Sequence, residues 1–167
     1  HDAGQQGGGL YLNYQGDATV TRSAIVDNHS VNGGGIYSDG TLMLTNTTLS
    51  GNTAQSNYGG GIYASSGSTT LEFSTIAGNS GSSYGGIYLT GTQADVRSTV
   101  ISGNVNTQCY RSGGTLRITS TLIRDGSCGA PGCAGGRRTA QALHRQRPGG
   151  ESRVQRQTLR HHSVQAW

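Results

Sequence analysis

The residues of this chain that could do acid–base chemistry are its carboxylates. Glycoside hydrolysis needs two carboxyl groups about 5–10 Å apart, which a repeating structure supplies when acids recur at equivalent places. Here Glu72 falls in register with Arg97, and Asp95 with Arg117, so we expect cross-strand ion pairs worth at most about 1 kcal/mol each. No two acids of the repeats fall in register, and the sequence therefore predicts no catalytic residue. The acids are Asp2, Asp17, Asp27, Asp39, Glu72, Asp95, Asp125 and Glu151.

Metal and phosphate sites also lack a sequence signature. His29 is isolated in the repeats, and His161 and His162 lie near the C-terminal end. A calcium-binding β-roll iterates Gly-Gly-x-Gly-x-Asp, whereas Asp39 stands in a single Ser-Asp-Gly segment, which is typical of a turn. Because the chain has no lysine, it also lacks the Gly-Lys-Ser/Thr ending of a phosphate-binding loop. We predict no metal and no cofactor.

Two motifs that repeat in step define the elements that must position any site. The first reads Gly-Gly-Gly-Ile-Tyr at 33–37 and 59–63, with variants at 7–11 and 85–88. The second is Ile or Leu followed three residues later by Asn. Its asparagines are Asn28, Asn52, Asn79 and Asn104, and we expect them to turn the chain, since Asn tolerates a left-handed backbone and bonds nearby backbone groups. Two in-phase motifs with a period of about 25 residues indicate a stacked array.

The segments between these motifs predict short strands. Apolar and polar residues alternate at 41–46, 70–73 and 94–97, which is typical of half-buried strands. Three strands per repeat would make one triangular coil, and equivalent apolar residues would stack between coils. The predicted interior columns are Leu10, Ile36, Ile62 and Ile87; Val20, Leu44, Leu71, Val96 and Ile118; and Ile25, Leu49, Ile76, Ile101 and Ile123. The predicted fold is all-β: a right-handed parallel β-helix of about five coils, followed by an irregular or disordered basic tail.

One column of aromatic residues accompanies the interior columns. It follows the glycine-rich motif and consists of Tyr11, Tyr37, Tyr63, Tyr88 and Tyr110. Exposed stacked rings can bind a carbohydrate or a protein partner. They can equally form a ladder that stabilises neighbouring coils. We favour the ladder and keep the binding surface as the alternative.

Charge divides the chain into two parts. Residues 1–128 carry the repeats, whereas residues 129–167 hold seven of the twelve arginines and Glu151 as their single acid. We predict a β-helix domain at 1–128 and an Arg-rich tail of low order at 129–167. A frameshift in the coding sequence is a second hypothesis for the origin of this tail. Without a nucleic-acid-binding motif, the tail does not predict a nucleic-acid partner. No apolar stretch is long enough to span a membrane.

The paired motifs resemble those of bacterial right-handed parallel β-helix proteins of the polymorphic outer membrane protein type, in the pectin-lyase-like superfamily. The resemblance covers residues 1–128 and implies export to the cell surface or beyond, as part of a larger chain. It transfers no catalytic residue. We expect a non-enzymatic stalk or adhesion surface whose partner is a carbohydrate or a host or cell-surface protein. The alternative is a fragment of a pectate-lyase-like enzyme whose active coils lie upstream.

Cysteines close the repeat region. Cys109 and Cys128 both fall in the final coil, 19 residues apart, and an exported protein is where such a pair would be oxidised. A loop of that size would stabilise the fold by roughly 3 kcal/mol. Cys109 could instead fill the isoleucine column as a free thiol, and Cys133 is a third candidate for pairing. We favour the bond between Cys109 and Cys128.

Overall fold

A computed structural model describes residues 2–56, 58–125 and 127–128. Within these residues the chain forms nineteen short β-strands and no helix, and the strands make four parallel sheets. The prediction of an all-β parallel β-helix with about five coils is therefore confirmed. The tail predicted at 129–167 lies outside the described residues.

Sheets 1 and 2 each contain one strand from every coil. Sheet 1 consists of β2 (Leu10–Leu12), β6 (Ile36–Ser38), β10 (Ile62–Ala64), β14 (Ile87–Leu89) and β17 (Cys109–Arg111). Sheet 2 has the longer strands β3 (Asp17–Thr21), β7 (Thr41–Thr45), β11 (Ser68–Glu72), β15 (Gln93–Arg97) and β18 (Thr115–Thr119). In both sheets, strands are hydrogen-bonded in the order of the coils.

Sheets 3 and 4 complete each coil. Sheet 3 consists of β4 (Ala24–Val26), β8 (Thr48–Ser50), β12 (Thr75–Ala77), β16 (Val100–Ser102) and β19 (Leu122–Ile123). Sheet 4 consists of β1 (Asp2–Gln6), β5 (His29–Asn32), β9 (Thr53–Ala54) and β13 (Ser80–Gly81). The sequence predicted only three strands per coil, and this is wrong for the coils that contribute to sheet 4. Its two-residue strands β9 and β13 are too short to show an alternating pattern.

The core is a narrow stack of aliphatic side chains. Ile62 pairs in register with Ile36 on one side and Ile87 on the other, and all three are buried. The columns of sheets 2 and 3 are equally continuous, so the three interior columns predicted from the sequence are confirmed. Such stacking fills the interior because each side chain contacts its equivalents in the neighbouring coils.

A row of hydroxyl groups forms the corner between sheets 2 and 3. One residue with positive φ ends each sheet 2 strand, for example Asn46 at 51° and Phe73 at 49°. A serine or threonine follows it, and in the last three coils its hydroxyl oxygen accepts a backbone N–H from the coil before. Thus the Thr47 N–H donates to Ser74 Oγ at 3.1 Å, and the Ser74 N–H donates to Thr99 Oγ1 at 3.4 Å. These bonds satisfy backbone donors that the strand ladder leaves unpaired at the corner.

The repeated asparagines form an internal amide ladder. The side chain of Asn52 donates to Asn79 Oδ1 at 2.9 Å, and that of Asn79 donates to Asn104 Oδ1 at the same distance. Asn28 precedes Asn52 in the ladder. The prediction that these asparagines adopt a left-handed backbone is wrong: the positive φ belongs to the residue before each one, for example Gly78 at 66°. The asparagine side chain is thereby free to point into the coil.

Candidate functional site

The tyrosines of sheet 1 lie in one column across all five coils. Tyr63 pairs in register with Tyr37 and Tyr88, and the column continues through Tyr11 and Tyr110. Ring centroids of successive members are 4.9–5.5 Å apart. The rings are tilted, edge-to-face or stacked, which are the arrangements that aromatic pairs prefer. The column results from strand register, because each tyrosine follows the inward-facing residue of its strand.

Two further tyrosines form a second row that the sequence reasoning missed. Tyr58 stacks on Tyr63 with a centroid distance of 5.5 Å and also contacts Tyr88 at 4.9 Å. Tyr84 contacts Tyr88 at 4.8 Å and Tyr110 at 4.4 Å. Each is the residue immediately before a Gly-Gly pair, and this shared position was the available signal. We call the seven tyrosines of both rows the tyrosine surface.

Glycines bring the second row close to the first. Gly60 lies against the neighbouring coil so tightly that a Cβ there would stand 2.2 Å from the carbonyl oxygen of Ser80 and 2.6 Å from that of Gly85. No side chain fits in that space. The Gly-Gly turn therefore lets adjacent coils approach closely at the edge of sheet 1. As a result, the tyrosine before each turn lies against the rings of the column.

Burial within the tyrosine surface is uneven. Tyr37 and Tyr88 are 7% and 9% exposed, whereas Tyr11 is 51% and Tyr58 39% exposed. Burial raises the pKa of Tyr37, against the opposing effect of a hydrogen bond with Ser65. Burial likewise raises the pKa of Tyr63. Tyr37 and Tyr88 are thus packed like core residues, Tyr11 and Tyr58 are open to solvent, and the other three tyrosines are half-buried.

The tyrosine surface has features of both a stabilising ladder and a binding surface. The interlocked rings of Tyr37, Tyr63 and Tyr88 have the contacts of a stabilising ladder. The exposed rings of Tyr11 and Tyr58 offer the apolar area with a polar tip that is common in binding surfaces. The two roles occupy different members of the same surface.

Sheet 2 carries a small charged cluster on its outer face. Arg97 Nη1 lies 3.4 Å from Glu72 Oε1, and Arg97 also binds the carboxylate of Asp95 on its own strand. The hydrogen bond from Arg97 lowers the pKa of Asp95 and raises the pKa of Arg97. The expected ion pair of Glu72 with Arg97 is present. Asp95 and Arg117 are in register as predicted, but Asp95 makes its ion pair with Arg97.

The residues considered as metal ligands do not come together in one site among the described residues. His29 Nε2 lies 2.7 Å from Gln55 Nε2, a polar contact between neighbouring coils. Among the described residues, no three His, Cys, Asp or Glu side chains come together as metal ligands. In the same part of the chain, no helix is long and apolar enough to cross a membrane.

The last coil is closed by a disulfide and by polar groups. Cys109 and Cys128 are bonded, with their Cα atoms 4.6 Å apart, and both are buried. The side chain of Gln108 accepts from Asn104 Nδ2 at 2.9 Å and so ends the amide ladder. Asp125 Oδ2 accepts the Gln108 N–H at 3.2 Å, and Ser127 Oγ accepts the Cys109 N–H at 3.0 Å. Cys133, the third candidate, lies outside the described residues.

Comparison with known proteins gives the same architecture. A search of the curated proteins and a search of the solved structures each found no match. One family model, described as a right-handed beta helix region, matches residues 2–140, which is most of the 167-residue chain. The match covers all four sheets and the whole tyrosine surface. A β-helix of this kind fits a structural or interaction segment, and the chain belongs to the right-handed beta helix family.

Proposed function

We propose that this β-helix is a non-enzymatic segment of a larger extracellular or cell-surface protein of bacterial type. In that protein it acts as a stalk and presents the tyrosine surface to a carbohydrate. The observation that carries the proposal is the tyrosine surface itself, which runs along one side of all five coils. Solvent-exposed rings at Tyr11 and Tyr58 supply contact area, and the packed rings between them hold that area in place.

A carbohydrate is the favoured partner because the surface combines apolar ring faces with hydroxyl groups. The phenol oxygen of Tyr37 lies 3.5 Å from Ser65 Oγ. Burial raises the pKa of Tyr63, and the nearby Thr90 side chain opposes that rise. Such groups match the alternating apolar faces and hydroxyls of a sugar ring. A cell-surface protein would be the alternative partner.

The charged cluster of sheet 2 fits a non-enzymatic role of the described coils, and the alternative is a pectate-lyase-like enzyme whose active coils lie upstream of them. A general acid at neutral pH needs a raised pKa, whereas Arg97 lowers the pKa of Asp95. Glu72 is bound by the same guanidinium. Both carboxylates are therefore bound by one guanidinium, which suits the stabilisation of a sheet surface.

Binding of the full chain to a panel of immobilised polysaccharides tests the proposal. We expect at least one polysaccharide to bind, and Tyr58→Ser to weaken that binding at least tenfold, while Tyr14→Ser leaves it unchanged. Tyr14 is a suitable control because it is 78% exposed and lies outside the tyrosine surface. Release of new sugar ends would overturn the non-enzymatic role. Binding to cells stripped of glycans, with no binding to any polysaccharide, would overturn the carbohydrate partner in favour of a protein.

A further inference from the structure

The closest contact of the tyrosine surface joins its two rows at the last coil. The ring centroids of Tyr84 and Tyr110 are 4.4 Å apart with an interplanar angle of 27°. Every other ring pair within the described residues has centroids at least 4.8 Å apart. The two rings are therefore stacked face to face at the shortest distance on the tyrosine surface.

The backbone on both sides holds this pair in place. The carbonyl oxygen of Tyr84 accepts the Gly60 N–H at 3.0 Å, and Tyr84 forms an antiparallel bridge with Asn106. Tyr110 lies in β17 and pairs in register with Tyr88. Its neighbour Cys109 is fixed by the disulfide. Neither backbone segment can move far without breaking contacts between coils.

Access and ring distance together distinguish this pair within the tyrosine surface. Tyr84 and Tyr110 are both partly exposed, whereas Tyr37 and Tyr88 are buried. An oxidant that acts at the protein surface can therefore reach both members of the pair. The stacked rings of Tyr58 and Tyr63 are also accessible, but their centroids are 5.5 Å apart, against 4.4 Å for Tyr84 and Tyr110.

We propose that Tyr84 and Tyr110 are a site of oxidative cross-linking, at which a peroxidase with hydrogen peroxide converts the two side chains into dityrosine. Each phenol gives one electron to the oxidised peroxidase and one proton to water. The two phenoxyl radicals then couple, and one carbon–carbon bond forms between their ortho positions. The two ring C–H bonds at those carbons break, and their protons return to the phenol oxygens. In total, two electrons and two protons leave the pair, and one hydrogen peroxide is reduced to two water molecules.

The cross-link would fasten the last coil from outside. The disulfide already closes that coil internally, between Cys109 and Cys128. A bond from Tyr84 to Tyr110 would tie the same coil to the segment that precedes β14. The two covalent bonds would then hold opposite sides of β17, where no further strand of sheet 1 is found among the described residues.

Peroxidase treatment of the full chain tests the proposal. With limiting hydrogen peroxide, we expect dityrosine fluorescence in the monomeric fraction. After reduction and trypsin digestion, residues 23–97 and 98–111 should appear as one joined species that lacks two hydrogen atoms relative to their sum. Fragmentation of this species should locate the bond at Tyr84 and Tyr110. A bond located at Tyr88, or cross-links found only between molecules, would overturn the proposal.

Matched variants supply an independent readout. Tyr84→Phe keeps the ring contacts but cannot form dityrosine, so it should reduce the intramolecular product at least tenfold. Tyr14→Phe should leave the yield unchanged, and unfolding the wild-type chain in urea should abolish the joined peptide. An undiminished yield from Tyr84→Phe or from the unfolded chain would also overturn the proposal. Because fragmentation locates the bond in the wild-type protein, the test holds even if a variant folds poorly.

Discussion

Replacement of Asn79 by alanine should be among the most damaging single changes in this chain. Asn79 is fully buried and lies in the middle of the amide ladder. Its Oδ1 accepts the backbone N–H of Asn52 at 3.0 Å and the side-chain amide of Asn52 at 2.9 Å. Its Nδ2 donates to the Leu49 carbonyl at 3.0 Å and to Asn104 Oδ1 at 2.9 Å. Alanine removes all four hydrogen bonds.

The magnitude depends on which groups keep another partner. The Asn52 side chain still donates to the Ile25 carbonyl, and Asn104 Oδ1 still accepts the Asn79 N–H. The backbone N–H of Asn52 loses its side-chain acceptor inside the coil, at a cost of about 1–3 kcal/mol for a buried unsatisfied donor. Three further hydrogen bonds at about 0.5–1.5 kcal/mol each bring the expected loss to about 2.5–7.5 kcal/mol. That is a large share of a typical domain stability of about 5–15 kcal/mol.

Chemical denaturation of the full chain, followed by circular dichroism, measures this loss. Asn28→Ala is a milder comparison variant, because the half-buried Asn28 side chain makes one hydrogen bond in the ladder, to Asn52 Oδ1. Removal of that bond should lower the free energy of unfolding by about 1 kcal/mol. Asn13→Ala, at an exposed position, should change stability little. Hydrogen-exchange mass spectrometry should place the lost protection of Asn79→Ala in the coils of Asn52 and Asn79. Equal stabilities for Asn79→Ala and Asn13→Ala would refute the ladder argument.

Two further predictions follow from the interior columns and from the tyrosine surface. Ile62→Ala should cost about 2–5 kcal/mol in denaturation experiments, whereas Met43→Ala, on the exposed face of sheet 2, should cost much less; equal losses would contradict the assigned facing. Burial raises the pKa of Tyr63 in the folded state above the pKa of about 10 that a tyrosine has in the unfolded chain. The protonated Tyr63 phenol therefore contributes its full stabilisation below that unfolded pKa, and this stabilisation is lost as the pH rises above it. Tyr63→Phe should therefore flatten the alkaline loss of stability relative to wild type and to Tyr14→Phe, and an unchanged pH profile would count against this assignment.

The fold could be predicted because its signals recur in every coil. Each inward-facing residue of sheets 1, 2 and 3 has equivalents above and below it, such as Leu44 between Val20 and Leu71. Repetition therefore compensates for strands of only three to five residues, which are weak signals individually. The same reasoning placed five tyrosines on one side, since alternate residues of a strand face opposite ways.

The amide ladder and the second tyrosine row could not be predicted in this way. Asparagine favours both left-handed turns and side-chain hydrogen bonds to backbone, and the motif alone does not say which of the two occurs. The structure decides because Gly51 and Gly78 take the positive φ. Tyr58 and Tyr84 lie in segments between sheets 4 and 1, where no alternation sets a facing. Their contacts depend on how closely two coils approach, which is a property of the packed array.

The spacing in sequence between interior columns shows which part of each coil has a fixed length and which part varies in length. In every coil, the interior residue of sheet 3 comes five positions after the interior residue of sheet 2. Examples are Val20 and Ile25 in the first coil, and Ile118 and Ile123 in the last. This corner carries the hydroxyl row, so an insertion would break a ladder that spans the array. From sheet 3 to the next sheet 1 strand, the separation varies between 13 residues, from Leu49 to Ile62, and 8 residues at the last coil.

The variable segment is also the one that contributes Tyr58 and Tyr84. Connections that tolerate changes in length commonly carry function, because a rigid scaffold positions them. Here the scaffold is the amide ladder, which ends each sheet 3 strand at a fixed point before the variable segment begins. Shortening the 13-residue segment that contains Tyr58 should therefore remove one ring of the second row while Asn52 and Asn79 remain hydrogen-bonded. The tyrosine surface can in this way change its shape from coil to coil without loss of the β-helix that supports it.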